Sequence, residues 1–250
     1  MTALEGVTED RLLDGRIALR QPAQGYRAGM DAVLLAAAIE AKPGERLVEF
    51  GCGAGAALLC TAWRNAGALL CGFDSDPAAA ALAQENAAAN GLADRVRIET
   101  ADIATLGTGT DFGFRAGQVF FNPPFFDDPK SLRAPKPEKR AAWLTGSAPL
   151  AAWIAAAARL LEAKGRLTLI HRADRLGDIL QALEPRFGSV AIKPVHPRAG
   201  RPAKRVIVTA RIGGRAPLVL LAPLVMHEGE GHSPEAEDIL RGRAAIAMEG

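Results

Sequence analysis

The chain has 250 residues, 49% of them apolar, with 30 Lys and Arg against 28 Asp and Glu. It can bury a full core as one globular unit, and its charge is too balanced for a uniformly basic nucleic-acid coat protein. Cys52, Cys60 and Cys71 are odd in number and lack CxxC or Cys/His spacing, which argues against a disulfide framework and a zinc site.

In chain order, Leu12–Arg20 is broken by Asp14-Gly15, a two-residue turn signal between apolar stretches, so a short hairpin is expected. Ala32–Ile39 reads as an apolar helix, with Asp31 placed to cap its first turn and Pro43-Gly44 beyond its end. Short apolar strands then alternate with helices: Leu47–Phe50, a helix after Gly55, Leu69–Phe73, a helix over Pro77–Asn90, Val96–Glu99 and Val119–Phe121. A helix over Leu150–Glu162, a strand at Leu167–Ile170 and a helix over Arg175–Leu183 continue the pattern. Such alternation predicts βαβ units and a mostly parallel α/β sheet covered on both faces. Ser189–Pro194 and Val206–Ile212 are strand-like, with no room for a helix between them, so an antiparallel pair is expected. Leu218–Met226 reads as one more strand and Ala236–Ala247 as a short helix. The expected organisation is an amino-terminal extension over 1–45, a core over 46–215 and a tail over 216–250, packed as a single unit. The opening MTALEGVTEDRLLDG has no apolar signal core, and no run of about 18 apolar residues occurs; a soluble, cytoplasmic protein is expected.

The first strand of the core runs into Glu49-Phe50-Gly51-Cys52-Gly53-Ala54-Gly55 and then a helix. Glycines at such a turn let the backbone approach a ligand, and the helix start offers free N–H groups. Asp74 ends the next strand about 20 residues on, where a carboxylate can take both hydroxyls of a ribose. An adenosine-containing cofactor follows. Gly51, Gly53 and Ala56 also satisfy a dinucleotide spacing, but Glu49 would repel a pyrophosphate while accepting from the ammonium end of S-adenosylmethionine. Asp102, after the third core strand, can accept from an adenine amino group or be a solvated turn acid.

Six of the nine Phe lie between Phe112 and Phe126, around Phe121-Asn122-Pro123-Pro124-Phe125. Two prolines end the strand and stiffen the loop. In a parallel sheet that loop lies beyond a strand's carboxyl end, where ligands bind. The Asn122 amide oxygen and the Pro123 carbonyl can then accept from one planar amine, localise its lone pair and stabilise the charge that develops as it attacks a sulfonium methyl. Phe125 would stack on the target ring, and Phe120 or Phe121 would fill the core.

On these residues the chain resembles class I S-adenosylmethionine-dependent methyltransferases with an NPP(Y/F) motif. More closely, it resembles the bacterial tRNA1(Val) adenine-N6 methyltransferase family, of methyltransferase small domain type. Gly25-Tyr26-Arg27, Asp31 to Leu35, Glu49 to Gly55, Asp74, Asn122 to Phe125 and the late hairpin carry the likeness. It implies a Rossmann-like seven-stranded sheet closed by that hairpin. It also implies S-adenosylmethionine held by Glu49, Gly51, Gly53, Gly55, Asp74, Asp102 and Asn122, and a target base met by Asn122, Pro123, Pro124 and Phe125. By the same analogy Arg27-Ala28-Gly29 lines the methionine end of the cofactor, unless it is only a turn before a helix. Similar motifs occur in enzymes of protein glutamine and of rRNA guanine amines. Those carry larger segments ahead of the glycine loop, whereas 48 residues precede Glu49 here.

Ten of the thirty basic residues fall in Lys130–Arg140 and Lys193–Arg205, with Glu138 as the one acid. Lys130, Arg133, Lys136, Lys139, Arg140, Arg198, Arg201 and Lys204 are therefore candidates for RNA phosphates, although such runs are usually solvated faces. His171, His196, His227 and His232 show no metal spacing, and no metal is expected. The competing readings are a methyltransferase of protein glutamine, rRNA guanine or a small molecule, and a non-catalytic RNA-binding protein on the same fold. A nicotinamide oxidoreductase is disfavoured, since Tyr26 is the sole tyrosine and no hydride-transfer constellation is visible.

Overall fold

The structure is a computed structural model, and residues 6–23, 27–107, 115–124 and 149–249 are described. Strands β1 (Val7–Leu12) and β2 (Ile17–Pro22) form the expected hairpin, with Leu12 opposite Ile17. Its tip needs left-handed backbone at Leu13, Asp14 and Gly15, a conformation that Asp and Gly tolerate best. Helix α1 (Met30–Ala37) follows, starting from Gly29 with no side-chain cap. Asp31 does not cap it as the sequence suggests. Its carboxylate instead takes the Arg205 guanidinium at 2.8 Å, because a charged partner outcompetes a local backbone amide.

The core then alternates β3 (Arg46–Phe50), α2 (Ala56–Arg64), β4 (Leu69–Asp74), α3 (Pro77–Ala89), β5 (Val96–Thr100) and β6 (Ala116–Phe121). Helix α3 starts where its chemistry says it should. Asp76 accepts from the Ala78 N–H at 2.8 Å, and Pro77 stands at the first helical position. After α4 (Leu150–Leu160) come β7 (Leu161–Arg172), α5 (Leu176–Leu183), β8 (Phe187–Arg198) and β9 (Arg205–Ile212). The chain enters β7 directly from α4, so the helix ends two residues before the expected Glu162 and His171 lies inside the strand rather than after it.

Seven strands stand in the order β5-β4-β3-β6-β7-β9-β8, all parallel except β9, which is antiparallel to both its neighbours. The tail enlarges this sheet to ten strands. β10 (Val219–Leu220) and β11 (Leu224–Glu228) both pair parallel to β8, and β12 (Gly231–His232) folds back on β11. The single tail strand expected over Leu218–Met226 is thus two, since Pro223 cannot donate to a ladder and breaks the run. The last helix, α6, spans only Pro234–Leu240.

Strand alternation divides the apolar side chains between two cores. Leu47, Phe120, Ile170 and Ile207 face α1, α2, α3, the amino-terminal hairpin and the tail, in a cluster reaching from Leu13 to Met248. Val48, Phe50, Val119, Phe121 and Leu169 face α4 and α5. Phe120 and Phe121 are therefore both core, on opposite faces.

Candidate active site

From β3 the chain runs outward through β4 and β5 and returns to β6 on the other side of β3. The β3–β6 junction is thus the switch point of the sheet, where a crevice opens beyond the strands' carboxyl ends. Phe50 pairs with Phe121 at the last register position. Gly51 and Asn122 accordingly leave the sheet side by side, which brings the two motifs, far apart in sequence, to one place.

Gly51 (φ +62°), Gly53 (φ +55°) and Gly55 (φ +89°) all hold left-handed backbone. Only glycine adopts it at small cost, so the spacing of the motif records the fold of the loop. Gly51 also lacks room for a side chain, since a Cβ there would lie 2.6 Å from the Trp153 ring. Trp153, on α4, packs as well on Phe121 at 5.4 Å between ring centroids, and Phe121 is stacked on Phe50 at 6.2 Å. One buried indole therefore braces both strand ends, a contact that no spacing in the sequence announces.

Asp74 ends β4 and holds this loop. Its Oδ2 accepts from the Gly53 N–H at 2.8 Å and its Oδ1 from the Asp76 N–H at 2.9 Å. Each carboxylate oxygen retains a second lone pair, and the residue is half-buried. Glu49 lies 3% exposed in β3, and its Oε2 has no hydrogen-bond partner among the described residues. Burial pushes its carboxyl well above the usual carboxylate range and Asp74 pushes the same way, against a backbone hydrogen bond at Leu58. The Cys52 thiol in the loop is also driven up by burial, then by Glu49 and Asp74, so it packs as a small apolar group.

Asp102 follows β5 and stands exposed; its side chain accepts from the Ala104 N–H at 2.9 Å and caps the 3-10 turn Ile103–Thr105. Arg27 is committed to the hairpin, donating to Asp10 and to Thr8 at 2.6 Å each, and nothing in these contacts directs it to the glycine loop. Asn122 is half-buried, Pro123 buried and Pro124 exposed. Arg198, Arg201 and Lys204 are exposed around the β8–β9 turn, with Arg198 donating to the Gly229 carbonyl at 2.6 Å. Because Arg172 pairs with Arg205, that turn lies beyond the carboxyl end of β7, on the same edge of the sheet as Gly51 and Asn122. Tyr26, Phe125, Lys130, Arg133, Lys136, Lys139 and Arg140 lie outside the described residues. Among the described residues no three His, Cys, Asp or Glu gather as a metal site, and no helix is long and apolar enough to cross a membrane.

A seven-stranded sheet of this order, with a glycine loop and an acid at adjacent strand ends, defines a class I methyltransferase. Residues 28–195 match the methyltransferase small domain, and the chain belongs to that family. It is similar to the tRNA1(Val) (adenine(37)-N6)-methyltransferase of Porphyromonas gingivalis (strain ATCC 33277), 32% identical over 88% of this chain and 89% of that one. The enzyme of that name from Dickeya chrysanthemi (strain Ech1591) is 31% identical over 78% and 77%. Among solved structures, a predicted O-methyltransferase from Agrobacterium tumefaciens superposes with a TM-score of 0.72 at 29% identity, over 87% of this chain and 98% of that one.

Proposed function

We propose that this methyltransferase modifies the exocyclic N6 amine of an adenine in tRNA. The observation that carries the reading is the emergence of Asn122-Pro123-Pro124 from β6 directly beside the glycine loop of β3. The names of its relatives support the same substrate.

The methyl donor is S-adenosylmethionine, which supplies an electrophilic methyl on a sulfonium. The residues present fit it. Glu49 keeps a buried carboxyl oxygen with no hydrogen-bond partner among the described residues, and a cationic amino group placed beside it would favour the ionised form that burial disfavours. Asp74 takes the ribose hydroxyls with its remaining lone pairs. Gly51, Gly53 and Gly55 let the backbone approach the ligand closely. Asp102 accepts from the adenine amine while it caps its own turn, and Arg27 orders the approach to α1 through the hairpin.

The adenine amine needs little base chemistry. Its lone pair is delocalised into the ring, and two acceptors, the Asn122 amide oxygen and the Pro123 carbonyl, draw its hydrogens and return the pair to nitrogen. Pro123 and Pro124 hold those acceptors rigidly, so no loop entropy is lost at the moment of attack. Phe125 stacks on the base. Arg198, Arg201 and Lys204 hold phosphates along the same edge, and Lys130, Arg133, Lys136, Lys139 and Arg140, outside the described residues, are further phosphate contacts in this reading.

The test is mass spectrometry of modified nucleosides in tRNA and rRNA from a deletion strain and its parent. Loss of N6-methyladenosine from tRNA is expected. A loss confined to rRNA, or unchanged RNA with a lost methyl on protein glutamine or a small-molecule oxygen, would reassign the substrate.

A further inference from the structure

We infer that Asn86, on α3, is a positioning residue that locks the glycine loop to the amino-terminal hairpin. The inference rests on the reading of that loop as the S-adenosylmethionine site.

Asn86 is fully buried, and its amide makes three hydrogen bonds. Oδ1 accepts from the Arg20 N–H at 3.0 Å, while Nδ2 donates to the Arg20 carbonyl at 2.8 Å and to the Ala54 carbonyl at 2.9 Å. One turn later, Asn90 repeats the pattern on Ala18. Its Oδ1 accepts from the Ala18 N–H at 2.9 Å and its Nδ2 donates to the Ala18 carbonyl at 2.7 Å. Four residues of helix rise about 6 Å and two residues of strand about 6.7 Å. Two amides spaced four apart, Asn86 within α3 and Asn90 at its carboxyl-terminal cap, can therefore dock on alternate residues of β2, as a neighbouring strand would.

The two amides differ in their remaining proton. Asn90 spends its own within α3, on the Asn86 carbonyl at 2.8 Å. Asn86 spends its own on Ala54, between Gly53 and Gly55. Beside the backbone bond from the Cys52 N–H to the Phe73 carbonyl at 3.1 Å, two side chains thus pin the loop, Asp74 at the Gly53 N–H and Asn86 at the Ala54 carbonyl. Three glycines leave a loop many conformations, and a ligand that needs one of them must bear the ordering cost unless the fold has already met it. Asn86 meets part of it and makes the hairpin a partner in cofactor binding, although the hairpin adds no strand to the main sheet.

Asn86→Ala and Asn90→Ala each remove a pair of hairpin bonds, on Arg20 and on Ala18 respectively, and only the first frees Ala54. In calorimetry with S-adenosylhomocysteine on the full chain, Asn86→Ala is expected to weaken affinity about tenfold and Asn90→Ala less than about twofold. Equal affinities in the two variants would overturn the inference. A second measurement needs no variant, because coupling is reciprocal. Saturating S-adenosylhomocysteine should slow hydrogen exchange at the Arg20 amide of the wild-type protein more than at the Ala18 amide. Equal or absent protection would overturn it too. Wild-type protein that failed to bind S-adenosylhomocysteine would instead bring down the cofactor reading, and this inference with it.

Discussion

Glu49 sits in β3 with a buried carboxyl, beside the Asp74 carboxylate. Its folded-state pKa lies above the unfolded value, so folding favours its protonated form. That contribution is fully present below the ordinary carboxylate pKa and is lost as pH rises through the folded value. The melting temperature of the ligand-free protein should fall across this window. Glu49→Gln should flatten the fall, as read by thermal melts over a pH series, and an unchanged pH profile would show that Glu49 does not titrate there. Asp74→Ala removes a loop anchor and, on the proposed reading, a ribose acceptor. Losing charge-assisted hydrogen bonds costs about 1.5–3 kcal/mol, so S-adenosylmethionine should bind roughly 10- to 100-fold more weakly by calorimetry. Tight NAD binding without S-adenosylmethionine binding would refute that assignment. Gly51, Gly53, Gly55 and Asp74 were legible in the sequence because residue type is forced there by left-handed backbone or by charge. Asn86 and Trp153 were not, since an amide bonded to a distant backbone and an indole packed on a glycine leave no local pattern. Arg27 shows the converse, a residue visible by position whose contacts turn to Asp10 and Thr8.

Among the elements, β6 does most to place the chemistry. All six of its residues are buried, and its end carries Phe121 between Phe50, on which it stacks, and the tilted ring of Trp153. Truncating a buried phenylalanine costs about 3–5 kcal/mol in transfer and cavity terms. Phe121→Ala should therefore lower stability in urea by that order, and also slow methyl transfer by loosening Asn122. Phe121→Leu, which keeps more of the volume, should recover most of both. A variant as stable as the parent would mean that the strand end is held by something else. The core strands and helices were readable because period and turn signals agree with burial on both faces of the sheet. The tail was not. Leu218–Met226 has the composition of one strand, yet its pairing to β8 depends on an edge that only the assembled sheet provides.

At the scale of the molecule, the β8–β9 turn and the Asn122 loop share one edge of the sheet. If Arg201 and Lys204 hold phosphates, replacing both with Ala should reduce the log–log salt slope of tRNA binding by about 0.7 for each single-strand phosphate no longer neutralised. S-adenosylmethionine affinity should stay unchanged, and an unaltered slope would return these residues to a solvated face. The amino-terminal hairpin and the tail share one apolar cluster with the sheet, so the edge is presented as a unit rather than by separate arms. The central claim is that this edge delivers an adenine amine to Asn122. Its most direct test is single-turnover transfer of a labelled methyl group from S-adenosylmethionine to unmodified tRNA, with the product nucleoside identified by mass spectrometry. The account predicts N6-methyladenosine, formed about 10²- to 10³-fold more slowly by Asn122→Ala with little change in tRNA affinity. Parental transfer rates in Asn122→Ala, or a methyl group on any other atom of the tRNA, would contradict it.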